Sequence, residues 1–153
     1  MHIVECNSDV ALVTELASIS KKKILHAHGK HRVLRRLIYK NTDSIGMIDK
    51  DPWATQPKKY LQKFSRTWFS RIHKLELLCY PHRNNRLIVL HPRLEEWVLA
   101  AAGRVGINVR RYNLPSNPDH LHEIINLKLN RFRQLVHDLK QVSDRVKILQ
   151  SQL

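Results

Sequence analysis

The chain reads as an α/β protein built on a parallel sheet and closed by a long C-terminal helix. Three observations predict this. Short apolar strand patterns alternate with single helix patterns through the first half, and strands joined by one helix each imply right-handed βαβ crossovers. The strands are continuous apolar runs, as a sheet covered on both faces requires. After Asp119 nothing breaks a helix, and apolar residues recur seven apart.

His2 to Cys6 is the first strand. Asn7, Ser8 and Asp9 supply helix-start chemistry, and Val10, Leu12, Val13 and Leu16 give the helix its apolar face. Lys23 to His28 is the second strand, closed by Gly29. Val33, Leu34, Leu37 and Ile38 mark a second helix, and Ser44 to Asp49 a third strand. Asp51 to Lys59 holds two prolines and reads as a loop. Leu61, Phe64, Trp68 and Ile72 are spaced for one face of a helix over Tyr60 to Ile72. Leu75 to Tyr80 and Arg86 to Leu90 are strands around the turn PHRNN. Pro92 then opens a helix at its favoured first position, and Gly103 and Gly106 end it.

In the last segment Ile125, Phe132, Leu139 and Val146 form one row, and Leu135, Val142 and Leu149 a second, offset by three. Together they make an a/d seam of about three heptads. The seam serves either packing on the chain's own sheet or association with a second copy or a partner helix. Residues 1–115 are therefore expected to form the α/β unit, and 116–153 the C-terminal helix.

The 153 residues include 27 Lys and Arg against 13 Asp and Glu, a formal net charge of +14. A chain this basic is expected to bind polyanions, nucleic acid first. No apolar run reaches the ~20 residues a membrane span needs, and the start lacks a basic and then apolar leader pattern. Cys6 and Cys79 are too few for a disulfide framework. A reduced, cytoplasmic protein is expected.

The acids are few and oddly placed. In parallel sheets, sites form beyond the carboxyl ends of the strands. Glu5 ends the first strand and Asp9 lies a helical turn on. Asp49 ends the third strand and Asp51 lies just past it. Glu95 and Glu96 open the helix after the last strand. All six are therefore expected at one sheet edge. Clustered carboxylates repel one another, and oxygen donors at this density suit Mg²⁺ or Mn²⁺, ions that assist phosphoryl chemistry. Taken singly, each acid has a plainer role. Asp49 and Asp51 suit a turn, Asp9 a helix cap, and Glu95 and Glu96 the favourable end of a helix dipole.

Lys21, Lys22, Lys23, Lys30, Arg32, Arg35, Arg36 and Lys40 occur with no acid among them, as a surface that tracks phosphates would. Lys30 follows Gly29 at a strand-to-helix turn and is the best placed cation for a transition state. His26, His28 and His31 lack the partners of a zinc site and read as structural or phosphate-contacting. Trp68 and Trp97 read as core, and Trp53 as a loop anchor or a base-stacking ring.

The order VECNSD, HAHGK, GMIDKDP and HPRLEEWVLAA, over about residues 2–102, resembles the Toprim domain, in particular that of OLD-family and related phage-defence nucleases. The resemblance implies a Rossmann-like fold and Mg²⁺- or Mn²⁺-dependent cleavage of nucleic acid, with DNA the expected substrate. It makes Glu5 a metal ligand or general base, Asp9 a supporting acid, Asp49 and Asp51 the main ligands, and Glu95 a further ligand. The family usually places glycine directly after the first-strand glutamate, and here Cys6 stands there. Such nucleases often carry an ATPase domain or partner, so the C-terminal helix is a plausible dock for a separate ATPase. The alternative is a nucleic-acid-binding or assembly subunit that keeps the scaffold without the chemistry. A phosphorelay receiver fits poorly, because Glu5 and Asp9 are not adjacent and no strand ends in lysine.

Overall fold

The computed structural model describes all 153 residues. A six-stranded sheet has the order β2-β1-β3-β6-β5-β4. The strands are β1 (His2–Val4), β2 (Ile24–His26), β3 (Ile45–Asp49), β4 (Ser65–Ser70), β5 (Leu75–Tyr80) and β6 (Asn85–Leu90). β2, β1, β3 and β6 pair in parallel, whereas β5 runs antiparallel to β6 and β4 antiparallel to β5. The helices are α1 (Asn7–Ala17), α2 (Lys30–Tyr39), α3 (Lys58–Leu61), α4 (Leu94–Arg104), α5 (Pro118–Ile124), α6 (Leu129–Val142) and α7 (Asp144–Gln152). The expected α/β class is thus present, with a mostly parallel sheet. No helix is long and apolar enough to cross a membrane.

The path of the chain sets the layers. α1 leads outward from β1 to β2, and α2 leads back past β1 to β3. Right-handed crossovers in opposite directions put their helices on opposite faces. Strand residues alternate accordingly: Val4, Met47, Ile88 and Leu75 meet the cluster of α1 and α4 to α7, and Ile3, Ile48, Leu87 and Val89 meet α2. The first cluster holds 24 buried residues and the second only 10, so the second face is thinly covered. α2 lies close to the sheet because β3 offers Gly46 beneath it: a Cβ there would sit 2.5 Å from Leu37 Cδ1. Asn85, buried, ties the exit of α2 to β3 and β6. Its amide donates to the Leu37 and Asn41 carbonyls at 2.5 and 2.7 Å and its oxygen accepts from Ser44 N at 2.8 Å.

Three expectations are corrected. Tyr60 to Ile72 is not one helix: α3 is a single turn, and Ser65–Ser70 is the edge strand β4. Leu61 and Phe64 have helical spacing because they belong to that turn and its exit. Beyond them Thr67, Trp68 and Phe69 are strand formers and pair with β5 across a register shift between Arg66 and Trp68. Trp68 is accordingly 38% exposed rather than core, while Trp97 is fully buried. Second, Pro92 is not the first residue of α4. It precedes Arg93, whose extended backbone caps the helix, and α4 runs through Gly103 to Arg104.

Third, the C-terminal segment is not a continuous helix. It is α5, a 3-10 turn at Ile125–Leu127, α6 and α7. Ser143 breaks it: its backbone is extended and its hydroxyl accepts from Val146 N at 3.4 Å, an N-cap followed by Asp144 in the first turn. Phe132, Leu135, Leu139, Val146 and Leu149 all lie in the core beside α1 and α4, whereas Val142 is 53% exposed. The seam packs on the chain's own fold.

Candidate active site

The carboxyl ends of β2, β1, β3 and β6 share one edge. The order 2-1-3 makes the β1/β3 boundary a topological switch point, since the connection after β1 turns to one face and that after β3 to the other. Glu5 and Asp49 flank this crevice. Glu5 Oε2 accepts from Asp49 N at 3.2 Å, so the first acid reaches across to the strand carrying the second. Lys30, at the start of α2, places Nζ 3.2 Å from Asp49 Oδ1. Asp49 Oδ1 also faces Asp51 N at 3.4 Å, while Asp51 Oδ1 accepts from Trp53 N at 2.8 Å. Asp51 thus shapes the turn past β3, its plainer expected role.

Asp9 stands behind this pair in the first turn of α1. It is buried, and its Oδ2 accepts from Cys6 N at 3.1 Å and from Cys6 Sγ at 3.2 Å. The backbone of Cys6 is extended, with φ −138° and ψ 177°, so the position does not require glycine. Its thiol turns toward Ser8 and Asp9 instead. Burial and the Asp9 charge push that thiol up, which keeps it protonated as a donor. Glu95, buried in α4, accepts from His122 at 3.0 Å. Glu96 pairs with Arg93, which also reaches Asp119.

These acids feel one another. Burial first, then Asp49 and Asp9, push the Glu5 carboxyl up to about 8, against the pull of Lys30 and the Asp49 amide. Burial, Asp49 and Glu95 push Asp9 up to about 7, against the Cys6 hydrogen bonds. Glu5, Asp9, Asp49 and Glu95 therefore share one electrostatic environment, which the sequence placed at one edge. No group of three or more His, Cys, Asp or Glu side chains has the spacing of a preformed metal site. The donor chemistry nonetheless suits a hard divalent ion: carboxylate oxygens whose ionisation is opposed by burial and by each other.

The basic residues divide. Lys30 is buried against Asp49 and belongs to the acid site. Arg32, Arg35, Arg36 and Lys40 line a concavity of about 350 Å³ along the outer side of α2, with His26 and His28 at its end. The two imidazoles lie 3.8 Å apart, and burial together with His28 holds His26 below its usual range. Lys21, Lys22 and Lys23 form an exposed 3-10 turn ahead of β2. That is the amino edge of a parallel strand, so they stand at the end of the sheet opposite the acids.

Sequence reasoning missed Glu76. It is 5% exposed in β5, and its carboxylate takes Arg66 Nε at 2.6 Å and His91 Nε2 at 3.0 Å. Both partners hold it below the ordinary carboxylate range despite burial. The signal was a lone acid in LELLCY, in step with Leu78 and Tyr80 on one face of the strand. The chain matches no protein-family model, no curated protein and no solved structure.

Proposed function

We propose that the chain is a Toprim-like nuclease that hydrolyses nucleic-acid phosphodiesters, DNA foremost, with Mg²⁺ or Mn²⁺. The observation that carries this reading is the Glu5–Asp49 contact across the β1/β3 switch point, with Asp9 and Glu95 in the same field. Glu5, Asp49 and Asp51 would hold the cation, backed by Asp9 and Glu95. When bound, it polarises a phosphoryl oxygen and lowers the pKa of water.

The chain's own groups do the rest. Glu5 has one oxygen on the Asp49 amide, which orients the other toward the crevice for the cation. Lys30 brings an ammonium to the Asp49 carboxylate, where a phosphate oxygen would gain from it. Arg32, Arg35 and Arg36 hold the backbone along α2. A phage-defence setting in the cytoplasm accords with the family resemblance. A second copy or an ATPase partner would engage surfaces other than the buried C-terminal seam.

A second reading has its own observation. Lys30 already neutralises Asp49, and Cys6 already binds Asp9, as in a scaffold that binds nucleic acid without cutting it. Incubation with supercoiled plasmid in Mg²⁺, Mn²⁺ or EDTA separates the two. Metal-dependent nicking, abolished by Asp49→Ala and by Asp51→Ala, is expected. Salt-sensitive binding without cleavage would favour the scaffold, and cleavage that survives both substitutions would refute the site.

A further inference from the structure

We infer that the thinly covered half of the sheet holds one amine-bearing nucleotide of the nucleic-acid strand, in a cavity beside the carboxylate edge. This rests on the nuclease reading for its link to a strand; the cavity itself does not.

The cavity follows from the topology. α2 covers the β2–β1–β3 side of its face, and beyond it only the single turn of α3 lies over β5. The segment from Lys50 to Phe64 arches over the gap and leaves a hollow of about 450 Å³, within the ~300–1,000 Å³ usual for ligand pockets. Its floor is a register row. Ile48, Val89 and Glu76 are successive partners across β3, β6 and β5, with Leu78 in the next row. Leu61 and Phe64 close it from above. A slot with an aliphatic floor and an aromatic wall accepts a flat ring.

Charge narrows the ligand. Lys50, Lys58 and Arg66 line the same cavity. Lys50 and Lys58 form no ion pair, and Arg66 is paired with the buried Glu76. A flat apolar body carrying an anion therefore fits the hollow. Glu76 selects among such bodies: each of its oxygens keeps a lone pair beyond the bond from Arg66 or His91. A projecting exocyclic amine can reach that lone pair, whereas the N3–H of thymine or uracil is recessed between two carbonyl oxygens that the carboxylate repels. Rings with an exocyclic amine (adenine, cytosine, guanine) are favoured over thymine and uracil.

The position joins this hollow to the acids. Lys50 stands between Asp49 and Asp51, and its backbone donates to the Leu90 carbonyl at 2.8 Å. Gln56, on the cavity wall, donates to the Asp51 carbonyl at 2.6 Å. The arch that roofs the slot is thus the loop that carries Asp51. A nucleotide seated there brings its phosphate toward the acid edge.

Calorimetric titration in EDTA tests this without catalysis. The probes are adenosine 5′-monophosphate, thymidine 5′-monophosphate and inorganic phosphate. The adenine nucleotide should bind about tenfold tighter than either of the others, the worth of one or two hydrogen bonds. Lys58→Glu, an exposed change, should weaken it by about the same factor. A deoxyadenosine oligonucleotide should displace it. Equal affinity for phosphate, or binding unaffected by Lys58→Glu, would overturn the slot. Binding that the oligonucleotide fails to displace would overturn the assignment to a strand. Loss of plasmid cleavage with intact nucleotide binding would count against the nuclease reading alone.

Discussion

Lys30 Nζ lies 3.2 Å from Asp49 Oδ1, with the lysine side chain 9% exposed and the aspartate 25%. The contact joins the N-terminus of α2 to the end of β3, inside a group of acids that otherwise repel. Removing the cation leaves Asp49 facing Glu5 uncompensated. Lys30→Met should destabilise the chain by about 2 kcal/mol, below the ~3–5 kcal/mol of a fully buried pair because Asp49 is partly open. Lys30→Met with Asp49→Asn should recover part of that loss in urea denaturation. Additive losses would show that the two groups are independent.

The raised carboxyls predict a pH dependence with a definite sign. In the folded chain Glu5 and Asp9 hold protons up to about 8 and about 7, which the unfolded chain releases near ~4. The folded state thus binds more protons across that window, and its stability falls as pH rises through it. The groups facing Glu5 are Asp49, Asp9 and Lys30, and those facing Asp9 are Cys6, Asp49 and Glu95. Thermal unfolding in EDTA should show a lower Tm at about pH 8 than at about pH 5, and Glu5→Gln should flatten the slope. Mn²⁺ should raise Tm chiefly at the higher pH. A metal effect equal at both would contradict carboxylate ligation.

The arginines of α2 predict a salt dependence. Arg32, Arg35 and Arg36 line one concavity, so changing all three to glutamine should weaken binding to a short DNA duplex. It should also make the log–log salt slope shallower by roughly 0.9 for each phosphate that is no longer neutralised. Fluorescence anisotropy over a salt series measures both. An unchanged slope would place the nucleic acid elsewhere.

The C-terminal helices give a packing test. Leu139 is fully buried in α6, and Val142, one turn on in the same heptad pattern, is 53% exposed. Leu139→Ala should cost about 2–5 kcal/mol, and Val142→Ser within about 0.5 kcal/mol. A large cost at Val142 would mean that this face is covered in solution.

Much of the first half was legible because its signals are local. Asn7 to Asp9 start a helix, Gly29 turns a strand into a helix, and an apolar run ends at Asp49. From Tyr60 to Ile72 local spacing misleads: four apolar residues match a helical face, yet β5 offers a partner edge and the segment becomes a strand. In the last third the apolar repeat was legible, but the weak cap at Ser143 was hidden by the residues around it. At the site, the shared edge of Glu5, Asp9, Asp49 and Glu95 follows from strand order. The ion pair of Lys30 and the role of Cys6 as donor to Asp9 depend on side-chain directions that no spacing encodes.

By itself the sequence determined the α/β class, the strong positive charge and the set of acids at the strand ends, because periodicity, composition and chain direction carry them. The tertiary structure alone decided which acids touch, that Lys30 is buried against Asp49, and that Lys21 to Lys23 stand at the far edge. It also decided that half of one sheet face is roofed only by a loop and the single turn of α3, which enclose a cavity lined by Glu76. Those facts depend on strand order and on the faces to which the crossovers turn, which set distances between residues remote in the chain.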